Sequence, residues 1–189
     1  MSTTAVPAAC MPTDAPGRCW VFGDDINTDY LAPGKYMKYG IDVIAQHCLE
    51  DVEPCFAREV RAGDLIIAGR NFGAGSSREQ AVEVLRHLGV RCVVAQSFAG
   101  LFYRNGFNLG LPLLLGPAAM EAPAWGIAPG ALACLDLEQA RLQLPDTQQA
   151  LQCQPIPPHL LALVTDGGLV PHLRKRIARE RLHSTASNP

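Results

Sequence analysis

The sequence predicts an α/β domain built on parallel strands, and three features carry that prediction. Short apolar runs recur at Asp64–Ala68, Val90–Ala95 and Leu111–Leu115, each of a length suited to a buried strand. Between them lie two segments of helical period, Ser77–Leu88 and Ser97–Asn108. Glycines punctuate the joins, with Gly69–Gly75 ahead of the first helix, Gly89 behind it and Gly110 behind the second. This strand–helix–strand–helix–strand order implies crossover connections between parallel strands.

Taken in chain order, Gly17–Gly23 (GRCWVFG) is the first strand, followed by a polar loop, Asp24–Asp29 (DDINTD). Tyr30–Gly40 is rich in Gly, Pro, Lys and Tyr and has no clear period. Ile41–Glu50 has Ile41, Ile44, Ala45 and Cys48 on one helical face, and Pro54 ends it. In Ser77–Leu88 the face Ala81, Val84, Leu85, Leu88 opposes Glu79, Gln80, Glu83 and Arg86, the pattern of a helix packed on a core. Beyond Gly116, Leu132–Leu137 and Arg141–Leu144 form a hairpin closed by Pro145. Leu160–Arg181 is helical with an interruption at Gly167 and Gly168. The expected organisation is a leader over residues 1–16, one domain over 17–183 and a frayed tail over 184–189.

Composition narrows the function classes. The 189 residues are 48% hydrophobic and 18% charged, enough apolar material for one packed domain. A formal charge of −2 supplies no global field for nucleic acid or an anionic membrane. The opening MSTTAVPAACMPTDAPG lacks the basic and apolar regions of a secretory signal, and no apolar run approaches the roughly 18–20 residues that span a bilayer. A cytoplasmic protein is expected. The seven cysteines (10, 19, 48, 55, 92, 134 and 153) include no CxxC pair, so they are expected to be free thiols and not metal ligands. The five histidines are scattered. The cations at 174, 175, 176, 179 and 181 lack interleaved aromatics and fit a solvated helix better than a nucleic-acid surface. Trp125 and the prolines around it suggest a loop packed on the domain or on a partner.

The chemistry concentrates in Gly69–Gln80, GRNFGAGSSREQ, which joins an apolar strand to a helix. Gly73 and Gly75 permit backbone conformations closed to other residues. Ser76 or Ser77 can cap the helix, with Glu79 or Gln80 completing a capping box. A helix N-terminus presents unpaired N–H groups and partial positive charge to an anion. Arg78 in the first turn is disfavoured by that dipole, yet its guanidinium can grip a carboxylate through two bonds. A well-capped helix with a solvated arginine accounts for the same residues. No Gly-Lys-Ser/Thr follows the glycines and no Gly-x-Ser-x-Gly occurs here, which excludes a P-loop and a nucleophile elbow.

The run NFGAGSSRE resembles the active-site segment of the aconitase superfamily, in its swivelling domain. WVFGDDINTDYLAPGKYM, HCLEDVEPCFA, SFAGLFYRNGFNLGLPLL and DGGLVPHL extend the resemblance over about Arg18 to Arg176. The length is similar to that of the detached small subunit of a family hydro-lyase. The resemblance implies a swivelling β/β/α domain with a parallel or mixed sheet flanked by helices. It further implies a larger partner subunit, in a heterodimer or heterotetramer, that carries a [4Fe–4S] cluster, none being bound by this chain. The reaction implied is reversible dehydration of a hydroxy-dicarboxylate, with isomerisation of 2-isopropylmalate to 3-isopropylmalate in leucine biosynthesis as first choice. Dimethylmalate dehydratase or homoaconitase types are the alternative.

Carried onto this sequence, Ser76 is the catalytic base, Ser77 and Arg78 bind a substrate carboxylate, and Asp29 supports them. Gln80 stands where many members have His. Tyr36–Gly40 (YMKYG) occupies the stretch that sets specificity, and the arginine by which single-chain aconitases hold a third carboxylate is absent, which argues against citrate. Lys38 either takes over that contact or is a solvated lysine. Tyr103, Arg104 and Asn105 either position the loop or simply pack and cap. Other classes, an RNA-binding regulator or an inactive structural subunit, fit less well with the neutral charge and the intact Ser76–Ser77–Arg78 run.

Overall fold

A computed structural model describes residues 15–117 and 124–186. Among these residues, seven strands form one sheet in the order β4-β3-β2-β1-β5-β6-β7. The parallel half comprises β1 (Gly17–Val21), β2 (Leu65–Ala68), β3 (Cys92–Ala95) and β4 (Leu113–Leu115). Its register aligns Cys19 with Leu65, Leu65 with Cys92, and Val93 with Leu113. Every residue of β2 and β3 is buried, as parallel strands covered on both faces require. The antiparallel half adds β5 (Leu132–Asp136) beside β1, then β6 (Arg141–Leu144) and β7 (Gln149–Gln152). The mixed α/β architecture is the expected one.

The crossovers are α4 (Glu79–His87) between β2 and β3, and α5 (Gly100–Leu109) between β3 and β4. Helix α4 buries Ala81, Val82, Val84 and Leu85 and ends at Leu88, with Gly89 at φ 84° supplying the left-handed turn. Two short helices, α1 (Thr28–Leu31) and α3 (Phe56–Glu59), flank α2 (Ile41–Gln46), and α6 (Pro158–Thr165) and α7 (Leu169–Ala186) follow β7.

Several expectations change. The helix predicted over Ile41–Glu50 ends at Gln46, because Leu49 turns to φ 60° and donates its N–H to the Tyr30 carbonyl at 2.7 Å. The break thus precedes Pro54. The second predicted helix starts at Gly100 and not at Ser97, since residues 97–99 pair with the loop after β2. Strand β7 was not foreseen. The break at Gly167 and Gly168 is as expected, and the final helix continues through Ala186 into the segment expected to fray. The expected leader falls almost wholly outside the described residues. Trp125 packs on the domain itself: it is buried, and a Cβ on Gly116 would lie 2.2 Å from its ring. Cys19, Cys48, Cys55, Cys92 and Cys153 are free thiols, but Cys134 is disulfide-bonded, contrary to the expectation.

Candidate active site

Three loops leave the carboxyl ends of adjacent parallel strands, where α/β sheets bind their ligands. Residues 22–27 follow β1, 69–78 follow β2 and 96–99 follow β3. Backbone bonds stitch them together as the strands diverge. The Gly69 N–H donates to the Gly23 carbonyl (3.1 Å), Asp25 to Arg70 (2.8 Å), Gly73 to Ile26 (2.7 Å) and Thr28 to Ala74 (2.8 Å). On the other side Phe72 donates to Ser97 (3.0 Å), and Ala99 donates to Phe72 (2.9 Å).

Side chains reinforce this ladder. Asp24 accepts from the Arg70 backbone N–H at 2.7 Å and from Nε and Nη2 of its guanidinium at 3.1 and 3.0 Å. Those bonds, the backbone one foremost, hold the Asp24 carboxyl below its ordinary value of 3.8. Asp25 and Asn71 both adopt left-handed backbone, near φ 58° and 59°, which Asp and Asn tolerate better than most residues. Asn71 Nδ2 donates to Asp25 Oδ1, and the Asn71 N–H donates to Ser97 Oγ, both at 2.8 Å. Below them Phe72 is fully buried, edge-on to Phe102 with centroids 5.3 Å apart and to Phe98 at 6.2 Å.

The loop then rises to the surface. Gly73 sits at φ 78° against Phe102, where a Cβ would lie 2.1 Å from Cγ of that ring. Gly75 sits at φ 104°, and a Cβ there would be 3.0 Å from Thr28 Oγ1. Ser76 and Ser77 are exposed. The expected serine cap is not formed. Helix α4 has Arg78 as its N-cap residue with no side-chain cap bond, and the Arg78 N–H donates to the Ser76 carbonyl at 2.7 Å. That tight turn keeps both serines in the loop and leaves their hydroxyls outside the capping position.

Arg78 reaches back to α1. Its Nη1 donates to Asp29 Oδ1 at 2.5 Å and to the Ala32 carbonyl at 3.1 Å. Both bonds fall on Nη1, so the Nη2–Nε edge can face a second carboxylate. Asp29 is placed by Asn27, whose Oδ1 caps α1 by accepting from the N–H groups of Asp29 (2.9 Å) and Tyr30 (3.0 Å). The side chain of Arg78 is 22% exposed, sheltered but open to a ligand.

The structure therefore brings together Asp29, Gly73, Gly75, Ser76, Ser77 and Arg78. Lys38 is exposed, with Nζ 5.1 Å from the Tyr39 ring centroid, and makes no contact with the serine loop among the described residues. Its segment is anchored by other groups: Lys35 pairs with Glu50 at 2.9 Å, and Tyr36 stacks on His47 at 3.6 Å. Gly34, at the start of that segment, lies against the Asp29–Arg78 pair. Tyr103 packs on Phe98 and Phe107, and Asn105 is buried, so the second helix supports the loop through its aromatic base. Sequence reasoning missed Asn27 as a cap, Thr28 and the Asp24–Arg70 and Asp25–Asn71 pairs. Only the Asn-x-x spacing before Tyr30 offered a local signal.

The donor set does not suit an iron–sulfur cluster. Among the described residues no three His, Cys, Asp or Glu side chains converge to hold a metal ion. Burial pushes the Cys48 and Cys92 thiols far above their ordinary value and those of Cys19 and Cys153 up to about 12. Among the described residues, too, no helix is long and apolar enough to cross a membrane.

Residues 36–117 match the aconitase C-terminal domain family. The chain is 42% identical over 161 residues to a protein named 3-isopropylmalate dehydratase small subunit from Syntrophus aciditrophicus, covering 85% of this chain and 96% of that one. It is 41% identical over 162 residues to one named methanogen homoaconitase small subunit from Methanothermobacter thermautotrophicus, covering 85% and 91%. A crystal structure of 3-isopropylmalate dehydratase from Methanocaldococcus jannaschii superposes with a TM-score of 0.81 at 34% identity, covering 89% of this chain and 98% of that one. The chain thus belongs to the small-subunit family of aconitase-type dehydratases.

Proposed function

We propose that this chain is the small subunit of a 3-isopropylmalate dehydratase, acting with a cluster-bearing large subunit in the cytoplasm. The observation that carries the proposal is the Gly73–Arg78 loop, which exposes Ser76 and Ser77 beside an arginine already oriented by Asp29. The similarity to named small subunits over most of the chain supports the substrate class.

In this reading the Nη2–Nε edge of Arg78 and the Ser77 hydroxyl bind one substrate carboxylate. Ser76, as an alkoxide whose charge is held by N–H groups of the loop, takes the proton α to a carboxylate and becomes the neutral hydroxyl. A free serine is far too weak an acid for this, so the loop must favour its ionised form. The [4Fe–4S] cluster belongs to the large subunit, where it supplies the Lewis acid for the departing hydroxyl. Asp29 keeps Arg78 from collapsing onto solvent and fixes its plane.

A homoaconitase-type activity is the second reading. It is favoured by the methanogen relative at 41% identity and by Lys38, an exposed cation that could meet a third carboxylate. The deciding experiment reconstitutes the chain anaerobically with its large subunit and compares 2-isopropylmalate, dimethylmalate, homocitrate and citrate. Turnover of 2-isopropylmalate that disappears in Ser76→Ala, with the complex intact, is the expected result. Preference for homocitrate moves the function to the second reading, and inactivity on all four overturns both.

A further inference from the structure

Thr28 is 1% exposed, and its Oγ1 is buried without any hydrogen-bond partner. Its backbone is fully used: the N–H donates to the Ala74 carbonyl at 2.8 Å and the carbonyl accepts from Ala32 at 2.9 Å. The hydroxyl alone is idle. An idle buried hydroxyl is costly, whereas valine has nearly the same shape and carries no such penalty. Such a hydroxyl is free to take a donor in another state of the molecule.

The surroundings identify that partner. The Oγ1 points at Gly75, 3.0 Å from where a Cβ on that residue would stand. Gly75 has φ 104° and no side chain, so the gap between Thr28 and the loop backbone stays open. The next peptide N–H along the chain is that of Ser76. Its nitrogen is two bonds from the Gly75 Cα, which makes it the nearest chain donor beyond that residue. Ser76 and Ser77 are exposed; the Ser76 carbonyl accepts from the Arg78 N–H at 2.7 Å, while the Ser76 N–H makes no hydrogen bond among the described residues.

We propose that Thr28 is a positioning residue for Ser76: when the serine loop closes on substrate, the Ser76 N–H donates to Thr28 Oγ1 and fixes the serine against the reacting carbon. The assignment rests on the function proposed above, with Ser76 as the base. It makes Gly75 necessary for a second reason besides its backbone angle, since any side chain there would block the contact.

The test compares Thr28→Val and Thr28→Ser in the complex reconstituted with the large subunit, using 2-isopropylmalate. In Thr28→Val, kcat falls about tenfold, the scale of one lost neutral hydrogen bond, with KM little changed. Its melting temperature stays level or rises, because an unpaired hydroxyl has been removed from the interior. Thr28→Ser, which keeps the oxygen, restores kcat to within about twofold of the wild type, well above the loss expected for Val. A purely structural role would lower stability and activity together, and that outcome overturns the proposal. So does full activity in Thr28→Val. Wild-type complex inactive on 2-isopropylmalate overturns the functional reading itself, and with it this assignment.

Discussion

Gly73→Ala is the sharpest test of the loop's construction. The added Cβ would lie 2.1 Å from Phe102 Cγ, 2.4 Å from its Cβ and 2.6 Å from Cδ2. Carbon atoms in favourable contact sit about 3.5–4.0 Å apart, so something must move by more than an ångström. Phe102 cannot easily yield. It is 2% exposed and packed edge-on to Phe72, which is itself fully buried. The backbone adds a second penalty, since φ 78° is left-handed and costs an L-residue about 1–2 kcal/mol. Overpacking costs about 1–3 kcal/mol, for a combined loss of about 2–5 kcal/mol. In a chain of this length each kcal/mol lowers Tm by about 2–4 °C, so the variant should melt roughly 4–20 °C below wild type. Thermal and denaturant unfolding of the isolated chain measure this directly. Gly100→Ala is the control, because a Cβ there meets nothing within 4 Å and should leave Tm level or raise it slightly. Equal Tm for Gly73→Ala and wild type would refute the claim that Phe72 and Phe102 form a rigid base.

Two further predictions probe the anchors. Asp29→Asn keeps the shape but removes the charge that holds Arg78, and KM for 2-isopropylmalate should rise roughly threefold to tenfold with a smaller change in kcat; unchanged KM would remove Asp29 from the binding machinery. Asp24 is held below 3.8 by Arg70, so its contribution to stability is present above that unfolded value and is lost as the pH falls through the lower folded value. The Tm advantage of wild type over Asp24→Asn should therefore shrink in acid as the pH drops below about 4, and a gap constant from neutral pH to strong acid would contradict the pairing.

The parallel core was legible because each strand is a short apolar run and each join carries a glycine. Those signals are local, and tertiary packing reinforced them. The four-residue elements α1 and α3 offer too few turns for a period to show. Strand β7, Gln149–Gln152, has two glutamines and buries only Leu151, so its pairing with β6 is visible only in space. The serine loop was found from its residue order, but its local geometry was not. Ser-x-x-Glu is a capping signature, yet the turn that joins the Arg78 N–H to the Ser76 carbonyl starts the helix at Glu79. Asp29 was identified by resemblance, while its partner, Arg78, lies 49 residues away in sequence. The Asp24–Arg70 and Asp25–Asn71 pairs span 46 residues each and exist only because β1 and β2 lie side by side.

That adjacency explains how a loop can be both exposed and exact in placement. Strands β1, β2 and β3 are hydrogen-bonded neighbours, and the ladder between them continues past the strands through residues 22–28, 69–74 and 97–99. The sheet's order is thus carried to Ala74, one residue short of the tip. The ladder stops there: Gly75 has no side chain, Ser76 and Ser77 face solvent, and the next side-chain anchor is Arg78, bonded to Asp29 of α1. In the proposed function, a base buried within this chain could not meet a substrate held by a second subunit. A base on a wholly flexible loop would lose the orientation that proton transfer demands. A three-residue exposed span clamped at both ends meets both requirements, and the idle hydroxyl of Thr28 lies at the first clamp, where a single added bond would convert the open span into a fixed one.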